Sequence, residues 1–315
     1  MRFLLLLLLI SLSVTGFSQI DSTYIGFFDY EVSVKGYFSK NFLMLTQETG
    51  PDKEKTYIPN NPVNLGAGFS WNNTSLSFGY GYGFDFTTDK ELGKTKAFDF
   101  QFHHYNRNFA VDVFIQKYSG YYVEEDDSDK SPGLCPDLKI QQYGLNAQYV
   151  FNSKKFSYKA AFDQSQKQLK SAGSILLGVG VSQTKIDSDS SFYYNEKNNL
   201  RNFQFGVSGG YTYTWVIDKR FYVNGSITAG IHFGSESIGR FGKQKLEVYP
   251  AVLPRISAGF NKKSWSLGLN YVGTLTFPSY SKQFGLLLHS GCFQIGYIKR
   301  FTTGPFGMKK PKILF

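Results

Sequence analysis

The sequence predicts an all-β chain: a transmembrane antiparallel β-barrel with short periplasmic turns and longer extracellular loops. Three observations predict it. Apolar and small polar residues alternate over long runs, the runs are joined alternately by short and long connections, and the tryptophans stand at run ends. From Ser75 to Phe84, Leu76, Phe78, Tyr80, Tyr82 and Phe84 fall on one face, with serine and glycine on the other. Successive strand side chains point to opposite sides, so one face is apolar and the other small and polar.

Such strands suit either a soluble sandwich or a membrane barrel. Runs of ten or more residues match the ~9–11 needed to cross a bilayer at a tilt. Sandwich strands are shorter, with a mode of ~5–6 residues. The short connections are Asn72-Asn73, Asn106-Arg107, Asn152 to Lys154, Asp218-Lys219 and Asn261 to Lys263. Longer ones cover 48–61, 86–94, 119–137, 185–200, 235–245 and 277–283. Trp71, Trp215 and Trp265 each lie within a few residues of a short turn, as an interfacial girdle requires.

The elements follow in order. Arg2, an apolar run from Phe3 to Ile10, and small residues at Gly16 and Ser18 make residues 1–18 a signal peptide, cut after Ser18. The apolar stretch falls short of the ~20 residues of a spanning helix. No cysteine stands near the cut, which argues against a lipid anchor. Residues 19–30 form a periplasmic N-terminal segment, 31–301 the barrel and 302–315 a basic tail. About twelve strands are expected, at 31–47, 62–71, 74–86, 95–105, 108–118, 138–151, 155–183, 201–217, 220–234, 246–260, 264–276 and 284–301. An even number is usual for such barrels.

One range is irregular. Residues 155–163 and 172–183 both have strand character, but Gln164 to Ser171 between them is polar, with Leu169 alone apolar. Counting two strands would put Asp218-Lys219 on the wrong side of the membrane. The segment is therefore read as one crossing interrupted by an excursion into the lumen, where it would act as a constriction. The alternative is a further strand hidden in 185–200.

The stretch Tyr57-Ile58-Pro59-Asn60-Asn61-Pro62-Val63-Asn64-Leu65-Gly66, running into the strand pair that ends at Phe84, resembles a family of outer-membrane barrels without assigned function, domain-of-unknown-function family 4421. Ser171 to Ser174 followed by Ile175-Leu176-Leu177-Gly178 is similar to a second recurring segment. The resemblance implies a barrel over the mature chain and no catalytic residues. The alternating Phe293, Ile295, Tyr297 and Phe301 resemble a signal for the barrel-assembly machinery, a partner of every such chain; Phe315 is the other candidate for that signal.

The net charge of +10 becomes +9 once Arg2 is removed. The excess gathers near short turns, at Arg107, Lys154, Lys155, Lys219, Arg220, Lys262 and Lys263, and in the tail. Cations flanking a bilayer meet lipid phosphates, which makes outer-membrane lipids the expected partners and argues against nucleic acid. The acidic run Glu124 to Asp129 lacks EF-hand spacing and reads as a solvated loop tip, so no metal or other cofactor is called for. Cys135 and Cys292 are the only cysteines; separate thiols are the simpler reading, with a disulfide requiring the 119–137 loop to fold over the mouth.

Catalysis would need a nucleophile and base within reach of each other. His289 and Ser290 are adjacent and so point to opposite faces; His232 and Ser235 also differ in parity. The lumen holds the better candidates: Asp99, Gln101, His103, Asp112, Gln116, Lys159, Asp163, Asn224, His232 and Arg255. Mixed charges there select solutes or pair across the lumen. A pore or transport protein for small solutes is the first expectation. An outer-membrane lipid hydrolase and a structural or surface-binding barrel are the alternatives.

Overall fold

The structure is a computed structural model. It describes residues 20–30, 32–50, 53–71, 74–80, 88–124, 132–235, 246–280 and 285–301. Residues 1–18, read as a signal peptide, the C-terminal tail, the turn Asn72-Asn73, most of the acidic run and the side chain of Trp71 lie outside the described residues.

The strands are β1 (Ile25–Phe27), β2 (Val32–Gly50), β3 (Lys53–Ile58), β4 (Asn64–Trp71), β5 (Thr74–Tyr80), β6 (Lys96–Tyr105), β7 (Phe109–Val123), β8 (Gly133–Val150), β9 (Gln166–Gln168), β10 (Ala172–Asp187), β11 (Asn199–Asp218), β12 (Phe221–Ser235), β13 (Glu247–Asn261), β14 (Trp265–Tyr280) and β15 (Gly285–Phe301). Each long strand pairs antiparallel with its neighbours. β15 returns to β2 over Phe301↔Val32 to Leu286↔Gln47, which closes the barrel. Closure leaves no free edge there, the condition for a sheet to cross a membrane.

Among the described residues the unbroken hydrogen-bonded ring has ten members: β2, β3, β7, β8 and β10 to β15. β4 and β5 continue from the lower half of β2, and β6 pairs with β7. With these three included and β3 set aside as a short upper link, the long strands lie on the twelve ranges read from the alternation. One range needs correction. Residues 155–163 are not part of a crossing strand. They form a turn and a π-helical segment, Lys159–Asp163, and the crossing itself begins at Ala172.

Alternation fixes the two faces of the wall. In β12, Tyr222, Asn224, Ser226, Thr228 and His232 are buried, while Phe221, Ile227, Ile231 and Phe233 are exposed. Phe205, Val207, Tyr211 and Trp215 do the same on β11, Trp215 being 59 % exposed. Exposed aromatic and aliphatic side chains recur on β2, β4, β6, β10, β14 and β15. An apolar surface that continuous is soluble only in lipid. Tyr213 and Trp215 make an edge-to-face pair, and Trp265 lies between Phe260 and Tyr297. Both tryptophans stand at the short-turn end, where an interfacial girdle belongs. Among the described residues no helix is long and apolar enough to cross a membrane.

Candidate functional site

The inside of the barrel is filled from both ends by its own chain. After β8 the chain turns at Asn152–Lys155 and enters the lower, short-turn end of the lumen. The π-helical segment buries Ala160, Ala161 and Phe162. Phe156, Tyr158 and Phe162 pack with Tyr105, Ala110, Val150, Leu176 and Tyr222 of the wall. The polar stretch then continues as β9, which pairs antiparallel with β1 over Ile25↔Gln168 to Phe27↔Gln166. The N-terminal segment and the excursion therefore make one two-stranded stopper.

Hydrogen bonds seat this stopper against the wall. Gln164 adopts a left-handed backbone, with φ 52°, at the end of the π-helical segment. Its amide donates to the Leu267 carbonyl at 2.9 Å and to Asn261 at 3.3 Å. Gly259 and Gly268 leave room for it; a Cβ on Gly268 would meet the Gln164 amide. The Arg300 guanidinium donates to the Gln164 carbonyl at 2.5 Å and to Ser266 Oγ at 2.8 Å. It also stacks 3.4 Å from the Phe28 ring centroid. Tyr222 donates to the Ala161 carbonyl at 2.7 Å, Asn270 to that of Phe162 at 3.2 Å, and Tyr158 meets Ser226 at 2.9 Å. Lipid cannot satisfy irregular backbone, so a segment of this kind at membrane depth must find partners inside.

The middle of the lumen is bridged by side chains. Arg255 on β13 reaches across to Asp112 on β7 with a two-pronged ion pair, one prong at 3.2 Å, and its guanidinium also donates to Tyr105 at 3.3 Å. His103 Nδ1 contacts the same carboxylate at 2.7 Å. Gln142 on β8 donates to Thr276 on β14, Gln148 to Thr228 on β12, and Gln204 on β11 to the Phe277 carbonyl. These contacts join strands that are not neighbours in the wall, so they span the interior. Above them the β10–β11 loop turns inward. Phe192 and Tyr194 are buried among Leu43, Leu45, Tyr57, Leu138, Ile140 and Leu286. Tyr194 meets Ser279 at 2.8 Å, and Gln47 donates to the Tyr193 carbonyl at 2.8 Å.

Asp137, at the upper rim, holds that loop. Its carboxylate accepts from Ser188 Oγ and from the backbone N–H groups of Asp189, Ser190 and Ser191, at 2.6 to 3.1 Å, and also from Ser191 Oγ. Burial raises its pKa, but these donors outweigh that and hold it below the ordinary carboxylate range.

The candidate residues sort accordingly. His103, Asp112 and Arg255 come together in one ion-pair network. Asp99 gathers Gln101, Gln116 and Tyr118 at 2.6 to 2.9 Å in a second. Asn224 bonds the neighbouring Thr212 and Thr214, and His232 is buried apart from both networks. Lys159 and Asp163, read as wall positions, stand instead on the π-helical segment inside the barrel. His289 bonds Tyr271 at 2.8 Å while Ser290 is buried on the other face, so that pair is not brought together. Cys135 and Cys292 are free thiols. Among the described residues no group of three or more His, Cys, Asp or Glu side chains is placed to hold a metal. The inward loop with Phe192 and Tyr194, and the role of Arg300, escaped the sequence reading. Three consecutive aromatic residues, Phe192 to Tyr194, inside a long polar connection were the available signal.

In structure the chain is similar to OmpT, an outer membrane protein of Vibrio cholerae, at 8% identity and a TM-score of 0.28, over 86% of this chain and 98% of that one. It is likewise similar to the Pseudomonas putida toluene transporter TodX, at 7% identity and 0.28, over 86% and 90%. The outer membrane protein OprG of Pseudomonas aeruginosa follows at 12% identity and 0.21, over 88% and 98%. No curated protein matches the chain in sequence. The model of a domain of unknown function, DUF4421, matches residues 19–301, and the chain belongs to that family.

Proposed function

We propose that the chain is a transport barrel for small polar solutes that rests closed and opens when its lower stopper and its upper inward loop move. One observation carries this reading. The lower end is closed by a segment of the chain itself, held by hydrogen bonds from Gln164, Arg300, Tyr222 and Asn270 and by the packing of Phe156, Tyr158 and Phe162 on the inner wall. Its polar contacts can be exchanged for water once the stopper moves, each at a net cost of only ~0.5–1.5 kcal/mol, while the apolar contacts of Phe156, Tyr158 and Phe162 keep it seated at rest.

The reading extends to targeting. Residues 1–18 are the export signal, and the family match from residue 19 supports that boundary. With the stopper withdrawn, Asp112, His103 and Arg255 would line the passage and set its preference for neutral or zwitterionic solutes, since both signs are present. A liposome-swelling assay tests this. The chain with 156–170 and 189–198 each replaced by a short glycine linker should admit small sugars, with a size cut-off, while the intact chain admits them slowly. Equal, negligible swelling by both would leave the barrel without a transport role.

A further inference from the structure

The outer face of β7, β8, β10 and β11 carries a row of cations that the lumen does not explain. The register sets Lys117 opposite Gln141, Gln141 opposite Lys185, and Lys185 opposite Arg201. All four lie on the outward side of the alternation: the residues before and after them in β7, β10 and β11, such as Gln116, Tyr118, Thr184, Ile186, Leu200 and Asn202, are buried in the lumen. Adjacent strands are ~4.8 Å apart, so the three cations fall within roughly 15 Å.

Each cation is the first charged outward residue above an apolar run. Below Lys117 stand Ile115, Val113, Val111 and Phe109. Below Lys185 come Gln183 and then Val181, Val179, Leu177 and Ile175; below Arg201 come Phe203, Phe205 and Val207. The ammonium groups of Lys117 and Lys185 approach the ring of Tyr143 from either side, with centroid distances of 5.9 and 5.8 Å. The Tyr143 hydroxyl is tied to Gln141 at 2.9 Å, which fixes the ring between them. Among the described residues no carboxylate lies within salt-bridge distance of Lys117, Lys185 or Arg201; the nearest outward acid in the register, Asp187, stands two residues above Lys185, opposite Lys139 and Asn199. Like charges gathered around one ring repel unless an anion joins them.

We propose that this row binds a phosphate-bearing lipid of the outer leaflet, its phosphates on Lys117, Lys185 and Arg201 and its acyl chains along the exposed Leu145, Val179, Phe205 and Val207. The position supplies both halves of an amphiphile's requirement: cations at the interface and an apolar wall beneath them. The long-loop end faces outward, so the lipid belongs to the outer leaflet. This site is independent of whether the lumen conducts.

The test is titration of the purified, detergent-solubilised chain, followed by native mass spectrometry, with bisphosphorylated lipid A, its dephosphorylated form and phosphatidylcholine. Lipid A should bind the unaltered chain and the control Lys219→Gln/Arg220→Gln at the short-turn end alike. The triple variant Lys117→Gln/Lys185→Gln/Arg201→Gln should bind it about tenfold or more weakly, as expected from losing three interfacial cations. Lys117→Arg/Lys185→Arg should retain binding, which separates charge from fold. The dephosphorylated lipid and phosphatidylcholine should bind weakly, and millimolar inorganic phosphate should not displace lipid A. Unchanged affinity in the triple variant, equal binding of the dephosphorylated lipid, or displacement by free phosphate would overturn the proposal.

Discussion

Arg255 is 1 % and Asp112 4 % exposed, so at the residue scale their ion pair is the most consequential contact inside the barrel. Removing one member of a buried pair leaves a charge without compensation and costs ~3–5 kcal/mol, whereas replacing both by apolar groups costs much less. Asp112→Asn should therefore lower the urea midpoint of the barrel in vesicles by an amount on that scale, and Asp112→Leu/Arg255→Met should restore most of it. A midpoint unmoved by Asp112→Asn would mean that Arg255 finds another anion. On the opposite face, Val207 is 57 % exposed and points to lipid. Val207→Arg should destabilise the folded barrel by ~2–4 kcal/mol near the midplane, measured by the same titration, because a guanidinium there is stripped of water. Both faces were legible from alternation alone. The pairing of Asp112 with Arg255 was not, because their separation of 143 residues leaves no local trace.

The elements differ in how plainly the sequence announced them. Ala172–Asp187 and Asn199–Asp218 alternate without interruption, and the strands lie where the pattern set them. Residues 155–163 alternate too, with Phe156, Tyr158 and Ala160 against Ser157 and Lys159, yet they turn into a π-helical segment. Their apolar side chains are used against the inner wall and not against lipid, a distinction periodicity does not encode. The polar stretch after them was the better guide, since lack of alternation at membrane depth implied the lumen. The upper loop was hidden for a different reason: its order comes from Asp137, some fifty residues earlier. Asp137→Asn should release residues 188–198, seen as faster amide exchange at Ser190 and Ser191 at neutral pH. In the unaltered chain the folded-state pKa of Asp137 is depressed. Its contribution is therefore fully present above the ordinary carboxylate value of ~3.9 and is lost only as pH falls through the depressed value. Loop protection should persist through pH 4. Protection lost near pH 6 would contradict this assignment.

At the scale of the whole molecule, an apolar exterior follows from the alternating pattern, and the interior is filled by the two segments that depart from it. The short turns at Arg107, Lys219 and Lys262 share one end, and the long connections share the other. Thiol tags at Asn195 should be labelled on intact cells and tags at Lys219 should not; the reverse would invert the orientation and with it the leaflet assigned to the cation row. The central claim is that the lumen is closed by the chain's own lower stopper and upper inward loop, and single-channel recording in planar bilayers tests it most directly. The intact chain should show long closed periods. Replacing both 156–170 and 189–198 with glycine linkers should give a steady open conductance, and Gly268→Val combined with the 189–198 replacement, which unseats Gln164 but keeps the lower segment, should give frequent brief openings. A large steady conductance from the intact chain, or silence from both variants inserted as heat-resistant barrels, would contradict the account.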